Sequence, residues 1–341
     1  MNSVSIILPI RNEGAYISRA LDSILAQDYG GPFEIIISDG MSTDKTREIL
    51  SDYISRFSCI KLIDNPGLIV PTGMNVALQL ASGGIIIRVD GHCVIAPDYI
   101  RRCVEHLLSE SVAGVGGPME TIGETPLAET IALAMSSPFG VGNSAFRTKR
   151  EGNILVDTVP FPAYTRDMVV RAGAYDEELV RNQDDEYNYR IREKGGMLLL
   201  ANDVRSEYYS RGSLGKLWRQ YFQYGFYKVR VLQKHPRQMS VRQFIPPAFV
   251  LSILVSVLLS FLFPWGWIFP AMVLGTYLLL NLRASIITAS RKGYKHLPLL
   301  PVCFAILHVS YGMGFLRGLW HFRSRWGDRV GKVPDLKMSL G

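Results

Sequence analysis

The stretch GIIIRVDGH, residues 84–92, decides the fold: three isoleucines follow a glycine pair and lead into an aspartate, a glycine and a histidine. A short β-branched run without polar alternation predicts a strand buried on both faces, as in a parallel sheet covered by helices. Upstream the same unit repeats. VSIIL (4–8) predicts a strand, and Asn12 is a candidate cap for a helix with Ile17, Leu21, Ile24 and Leu25 on one face. FEIIIS (33–38) and IKLID (60–64) predict further strands. Between them STDKTREILSDYISRF sets Ile49, Leu50, Tyr53, Ile54 and Phe57 at helical spacing, and PTGMNVALQLA is a third helix. Strands alternating with helices imply an α/β fold with a mostly parallel, three-layer sheet. Ligands of such sheets sit beyond the carboxyl ends of the strands, here Pro9 to Glu13, Asp39 and Asp90 to His92.

Asp39 and Asp90 both end apolar strands on one side of that sheet. No GxGxxG follows the first strand and no GxxxxGKS or GxxxxGKT occurs, so a dinucleotide-binding or P-loop protein would lack its phosphate cradle. A divalent metal is the natural counter-charge for a phosphorylated ligand. Asp90 and His92 flank a glycine that allows close backbone approach; a carboxylate suits Mg2+ or Mn2+, and imidazole suits Mn2+ better. The competing reading makes Asp90 a turn cap and His92 an exposed loop residue. The four cysteines form no CxxC pair, which argues against zinc and fits a reducing compartment.

Charge divides the chain. Residues 1–210 carry 19 Lys and Arg against 28 Asp and Glu, and residues 211–341 carry 18 against 2. No charged residue lies between Arg242 and Arg283. That stretch is long enough for two helical spans, expected near 244–263 and 267–286, with Pro264, Trp265, Gly266 and Trp267 at the break. A third apolar segment, 297–316, contains Pro298, Pro301 and His308 and reads as a span, a re-entrant element or an interfacial helix. Basic residues from Arg211 to Arg242 and after the hairpin put both flanks on the cytoplasmic side. The basic tail would fall on the wrong side of a third full span. A membrane-surface role suits the basic stretch better than nucleic-acid binding, for which no motif is present. The five-residue apolar run after Ser3 is too short for a secretory signal.

SIILPIRNEG, ISDGMSTDKT, GGIIIRVDGH and NQDDEYNYRIREKGG, in that order, resemble family 2 glycosyltransferases of the GT-A fold. The likeness is to membrane-anchored enzymes of bacterial exopolysaccharide assembly, of the succinoglycan glucosyltransferase type, and it covers about residues 3 to 235. It implies a GT-A catalytic domain over 1–235 and a membrane domain over 236–341. By the resemblance Asp39 contacts the base of a nucleotide sugar, usually a UDP sugar, with Pro9 and Glu13 lining the pocket and Asn75 matching a donor-side position. Asp90 falls on the first Asp of the DxD motif. His92 falls on the last, usual metal-ligating Asp, so the Mn2+ or Mg2+ site departs from the family pattern. Met74 stands where many relatives have a phosphate-holding Arg.

Counting back from Arg190, the resemblance selects Asp184 as catalytic base, with Gln183 in place of the family's Glu. Such a base is needed because a sugar hydroxyl must lose its proton as it attacks the anomeric carbon. Asp185 and Gln220 are acceptor-side candidates, though acids such as Asp185 and Glu186 also simply favour a helix start. The QxxRW motif keeps only Gln220, with Gln223 and Tyr224 in place of Arg and Trp, which favours transfer of a single sugar. Acceptor choice would depend on the 120–180 region, where TIGETP, SSPFGVGNSAF and VPFPAYTRD read as Gly- and Pro-rich loops rather than regular elements. The expected activity is inverting transfer of a sugar, with glucose the candidate, from a UDP donor to a lipid-linked oligosaccharide. Transfer would occur at the cytoplasmic face of the inner membrane, with other exopolysaccharide assembly proteins as candidate partners. Polyprenyl-phosphate transfer, processive synthesis, a nucleotidyltransferase and an inactive membrane scaffold are the alternatives.

Overall fold

The computed structural model describes residues 2–142, 144–148, 151–210 and 212–338; Arg211, which opens the basic stretch, lies outside them. The first elements follow the predicted alternation: β1 (Val4–Ile10), α1 (Ile17–Leu25), β2 (Phe33–Asp39), α2 (Thr46–Arg56), β3 (Ile60–Asp64), α3 (Val70–Leu80) and β4 (Ile85–Arg88). Then come β5 (Cys93–Ile95), α4 (Tyr99–Ser109), β6 (Gly114–Gly116), β7 (Met119–Ile122), α5 (Pro126–Met135), α6 (Pro138–Val141) and α7 (Ala145–Thr148). The next elements are β8 (Ile154–Leu155), β9 (Ala163–Thr165), α8 (Arg166–Ala172), α9 (Gln183–Glu193), β10 (Leu198–Leu200) and β11 (Ser206–Tyr209). Four long helices close the series: α10 (Leu214–Lys234), α11 (Ile245–Ser260), α12 (Ile268–Lys292) and α13 (Leu300–His321).

Two compact units result, one of residues 1–120, 149–208 and 331–341, the other of 121–148 and 209–330. The first is built on an eight-stranded sheet of order β3-β2-β1-β4-β9-β6-β10-β8. β1 pairs in parallel with both β2 and β4, whereas β9 runs antiparallel between β4 and β6. Ile6, Ile7, Leu8, Ile35, Ile36, Ile37 and Ile87 are fully buried, each contributing roughly 1.5–3 kcal/mol. Because the strand order turns back at β1, the loops after β1 and β4 open on the switch point where α/β sheets bind ligands.

In the second unit α11 and α12 expose most of their apolar surface, while α13 packs along α10 and is buried over 44% of its apolar window. All three are long and apolar enough to cross a membrane, over 241–260, 268–292 and 300–321. Helix α12 runs six residues beyond the expected end of the second span. The close packing of α10 on α13 depends on glycine: a Cβ at Gly225 would lie 2.0 Å from the Tyr311 carbonyl oxygen, and one at Gly314 would lie 2.0 Å from that of Phe222. Gly314 and Gly318 form a GxxxG pair, the spacing that lets helix backbones touch.

Two expectations are corrected. Asn12 does not cap α1, whose N-cap is Tyr16; its backbone is left-handed (φ 55°), and its Oδ1 accepts the Thr43 amide instead. Two of the stretches read as loops carry short regular elements: SSPFGVGNSAF contains α6 and the start of α7, and VPFPAYTRD contains β9 and the start of α8. Helix α5 is begun by Thr125, whose hydroxyl accepts the Ala128 amide, and by a proline in the first turn.

Candidate active site

The carboxyl ends of β1, β2 and β4 bring the strand-end candidates together. Asp39 is fully buried and pairs in register with Ile10, one place beyond the Pro9–Ser38 pair. Its Oδ2 accepts from Arg47 Nε at 2.5 Å and its Oδ1 from the Ser42 hydroxyl at 2.5 Å. The same guanidinium reaches Asp64 at the end of β3. Buried this deeply, the Asp39 carboxylate requires such partners.

His92 and Glu13 meet across the switch point, Nδ1 lying 3.0 Å from Oε1, and both side chains are largely buried. Tyr208 packs on the imidazole in a T-shaped contact, with ring centroids 4.8 Å apart. Gly91 makes this contact possible, because a Cβ there would come within 2.9 Å of Glu13 Cγ and of Ile10 Cγ2.

Arg88 is the residue that sequence reading missed. It sits in buried β4 with its side chain 7% exposed, and it joins two carboxylates 94 positions apart in sequence: Asp90 accepts from Nε at 3.0 Å and Nη2 at 2.8 Å, and Asp184 contacts Nη1. Burial is the largest single influence and works against the guanidinium charge, but Asp90 together with Tyr175 and Tyr164 outweighs it, and the pKa of Arg88 stands above its ordinary value. The signal was present in the sequence, for an arginine inside a strand buried on both faces demands anionic partners.

Asp184 lies in the first turn of α9 with Asp185 and Glu186, where the helix dipole favours negative charge. Its side chain remains 40% exposed. Arg190, used for counting, grips Glu186 at 2.6 Å and the Ala172 carbonyl at 2.7 Å, which fixes the pitch of this helix against α8. Asn75 is committed to protein: it exchanges hydrogen bonds with the Tyr175 backbone at 2.7 and 2.9 Å and donates to Glu177 at 3.0 Å. Tyr175 in turn stacks on Tyr187 of α9 at 3.9 Å. Asn75 therefore braces the loop before α9. Met74 is buried and shares a small pocket with Arg88, Tyr164, Tyr175 and Tyr187. Asp185 is half-buried in the same first turn as Asp184. Gln220 belongs to the other unit, where it donates to Tyr224 within α10 at 3.0 Å.

Among the described residues no three His, Cys, Asp or Glu side chains converge as a metal cage. Asp90 and His92 suit a different arrangement, in which a hard cation takes one or two protein ligands and completes its shell with ligand phosphates and water.

With strand-end carboxylates and a helix-borne carboxylate meeting at the switch point, comparison with known proteins is decisive: residues 5–172 match the profile of glycosyl transferase family 2. These residues are a family 2 glycosyl transferase domain. The succinoglycan biosynthesis protein ExoA of Rhizobium meliloti is 29% identical over 94% of this chain and 96% of its own length. A dolichyl N-acetyl-alpha-D-glucosaminyl phosphate 3-beta-D-2,3-diacetamido-2,3-dideoxy-beta-D-glucuronosyltransferase of Methanococcus voltae is 28% identical over 94% of this chain and 98% of that protein. In fold, the chain resembles the mannosyltransferase PcManGT of Pyrobaculum calidifontis, solved with GDP-Man and Mn2+ (TM-score 0.59, 18% identity, 93% of this chain and 87% of that one). It also resembles residues 1–349 of S. aureus TarS with UDP-GlcNAc (TM-score 0.53, 16% identity, 94% and 91%). The chain therefore joins a GT-A fold to C-terminal apolar helices, and the relatives it matches over nearly its whole length are named for succinoglycan biosynthesis and for sugar transfer to a dolichyl-linked saccharide.

Proposed function

We propose that the protein is an inverting glycosyltransferase that moves a sugar from a nucleotide donor, UDP-linked in the first instance, to a lipid-linked saccharide. Residues 1–235 carry the chemistry in this reading, and residues 236–341 anchor it at the cytoplasmic face of the inner membrane as a multi-pass segment. The observation that carries the reading is the meeting of Asp90 and Asp184 on Arg88. A donor-side carboxylate and a candidate base, remote in sequence, thereby share one guanidinium.

Asp184 takes the proton of the acceptor hydroxyl as its oxygen bonds to the anomeric carbon. The bond from that carbon to the diphosphate oxygen breaks, and the nucleoside diphosphate leaves with the electron pair. Attack opposite the leaving group inverts the anomeric centre. Asp39 and Pro9 would bound the base end of the donor, and Arg88 holds Asp90 and Asp184 in register. Asp90 and His92 would hold Mn2+ or Mg2+, which when bound offsets charge on the departing diphosphate. The relatives' names support glycan assembly on a lipid carrier, with glucose as the sugar favoured by the succinoglycan likeness.

The test is release of nucleoside diphosphate by detergent-solubilised protein given a panel of UDP and GDP sugars, membrane lipid extract, and Mn2+, Mg2+ or chelator. Release that requires one sugar, the extract and a metal is the expected result. Donor-dependent release of pyrophosphate would instead identify a nucleotidyltransferase.

A further inference from the structure

The resemblance puts Glu13 on the wall of the donor pocket, but its carboxylate is turned onto His92. We propose that Glu13 is a positioning residue for the cation site: it accepts the Nδ1–H of His92, fixes that tautomer, and leaves Nε2 as the lone-pair donor beside Asp90. This rests on the metal-dependent reading above and extends it to the one position where the DxD pattern is broken.

The chemistry of the pair fixes the roles of the two ring nitrogens. An ionised carboxylate can only accept, so the 3.0 Å contact requires the proton on Nδ1. A neutral imidazole then carries its lone pair on Nε2, and among the described residues that nitrogen has no hydrogen-bond partner. Metal-binding histidines are held in this manner, with the second ring nitrogen donating to a carboxylate that orients the ring and raises its basicity. The pair is also built rigidly. The Glu13 amide donates to Thr46 at 2.9 Å, and its carbonyl accepts the Tyr16 and Ile17 amides at 2.9 Å, so α1 grows from it. Tyr208 closes one side of the ring, and Gly91 brings the Asp-Gly-His turn down onto Glu13. A carboxylate at position 92 would need no such partner and would be repelled by this one. A histidine at position 92 can donate to Glu13 as the family's aspartate could not, and an imidazole ligand shifts the preferred ion from Mg2+ toward Mn2+.

The experiment has two independent readouts on the full-length protein in detergent. The first is the 15N chemical shifts of the His92 ring at neutral pH without metal or nucleotide, assigned by comparison with H92A. An Nδ1–H tautomer that is lost in E13A and restored at least in part by E13Q, which keeps an acceptor oxygen, is expected. An Nε2–H tautomer in the wild type overturns the proposal. The second is Mn2+ affinity in the presence of UDP, measured by the electron paramagnetic resonance of free Mn2+. E13A should weaken it about 10- to 100-fold, as for other outer partners of ligating histidines. In an H92A background the same change should add nothing. An equal loss from E13A in both backgrounds would make Glu13 a donor contact and overturn the proposal, as would unchanged affinity in E13A with its unfolding midpoint intact. Absence of Mn2+ binding by the wild type removes both the cation and this proposal. The transferase reading, which rests on nucleotide release, would survive that result.

Discussion

At the residue scale, carboxylates at the two ends of the sheet do opposite work. Asp184 is partly exposed and held by the Arg88 guanidinium and the Gln183 amide, so Asp184→Asn should keep nucleotide binding and lose about 10²- to 10⁴-fold in turnover. Wild-type turnover in that variant would remove Asp184 as the base. Glu34, at the amino end of β2, instead ties the sheet together. It accepts from the Ser5 hydroxyl of β1, from the Ser82 amide and hydroxyl before β4, and from Lys61 of β3. Burial raises its pKa, but these bonds outweigh that and lower it to about 2 from a model-compound value of 4.5. The depressed folded pKa means a stabilising contribution present above about 4.5 and lost as pH falls toward about 2. Glu34→Gln should therefore lower the unfolding midpoint at pH 7 and flatten its dependence across that window in thermal scans. The acids at strand ends were legible in the sequence because buried strands ending on Asp are informative in themselves. Arg88 was not recognised: an arginine in a buried strand signals that anionic partners exist, but no local pattern says that one of them is Asp184.

Among the elements, strands and helices were legible in proportion to their apolar regularity. β1, β2 and β4 are each built on an isoleucine run and appear within two residues of their expected ends. Helix α5 was hidden by the glycine and proline around it, although Thr125 and Pro126 are proper start signals. Asn12 was misjudged because a cap-type residue also suits a left-handed turn, the use the loop makes of it. The third apolar segment was ambiguous for a physical reason: hydropathy counts carbon but not contacts, and α13 spends its apolar face on α10. Its glycines carry that packing. Gly314→Leu should force the two helices apart at a cost of about 1–3 kcal/mol or more. A lowered unfolding midpoint in detergent would be the sign, and an unchanged one would show that the glycine contact carries little weight. Gly275, beside which nothing lies within 4 Å, is the control position for the same substitution.

For the whole molecule, the chain order differs from the spatial order. The segment after α13 belongs to the first unit: the Lys332 amide donates to Asp176 at 2.8 Å, its carbonyl accepts the Glu177 amide at 2.9 Å, and Gly331 leaves no room for a side chain against Asp176. This strap holds the loop that Asn75 braces and that stacks through Tyr175 on the helix bearing Asp184. Removing residues 331–341 should leave the sheet intact while the Glu177 amide loses hydrogen-exchange protection and turnover falls. Retained protection at Glu177 would mean the strap is dispensable. The strap also sets a timetable. At about 5–20 residues per second a ribosome needs on the order of ten seconds to pass from the end of β11 to Lys332. Throughout that interval the three apolar helices emerge while the catalytic unit still lacks its last piece. The enzyme is therefore completed only after its apolar helices have been made, and a nascent chain stalled before them is left without its fastening.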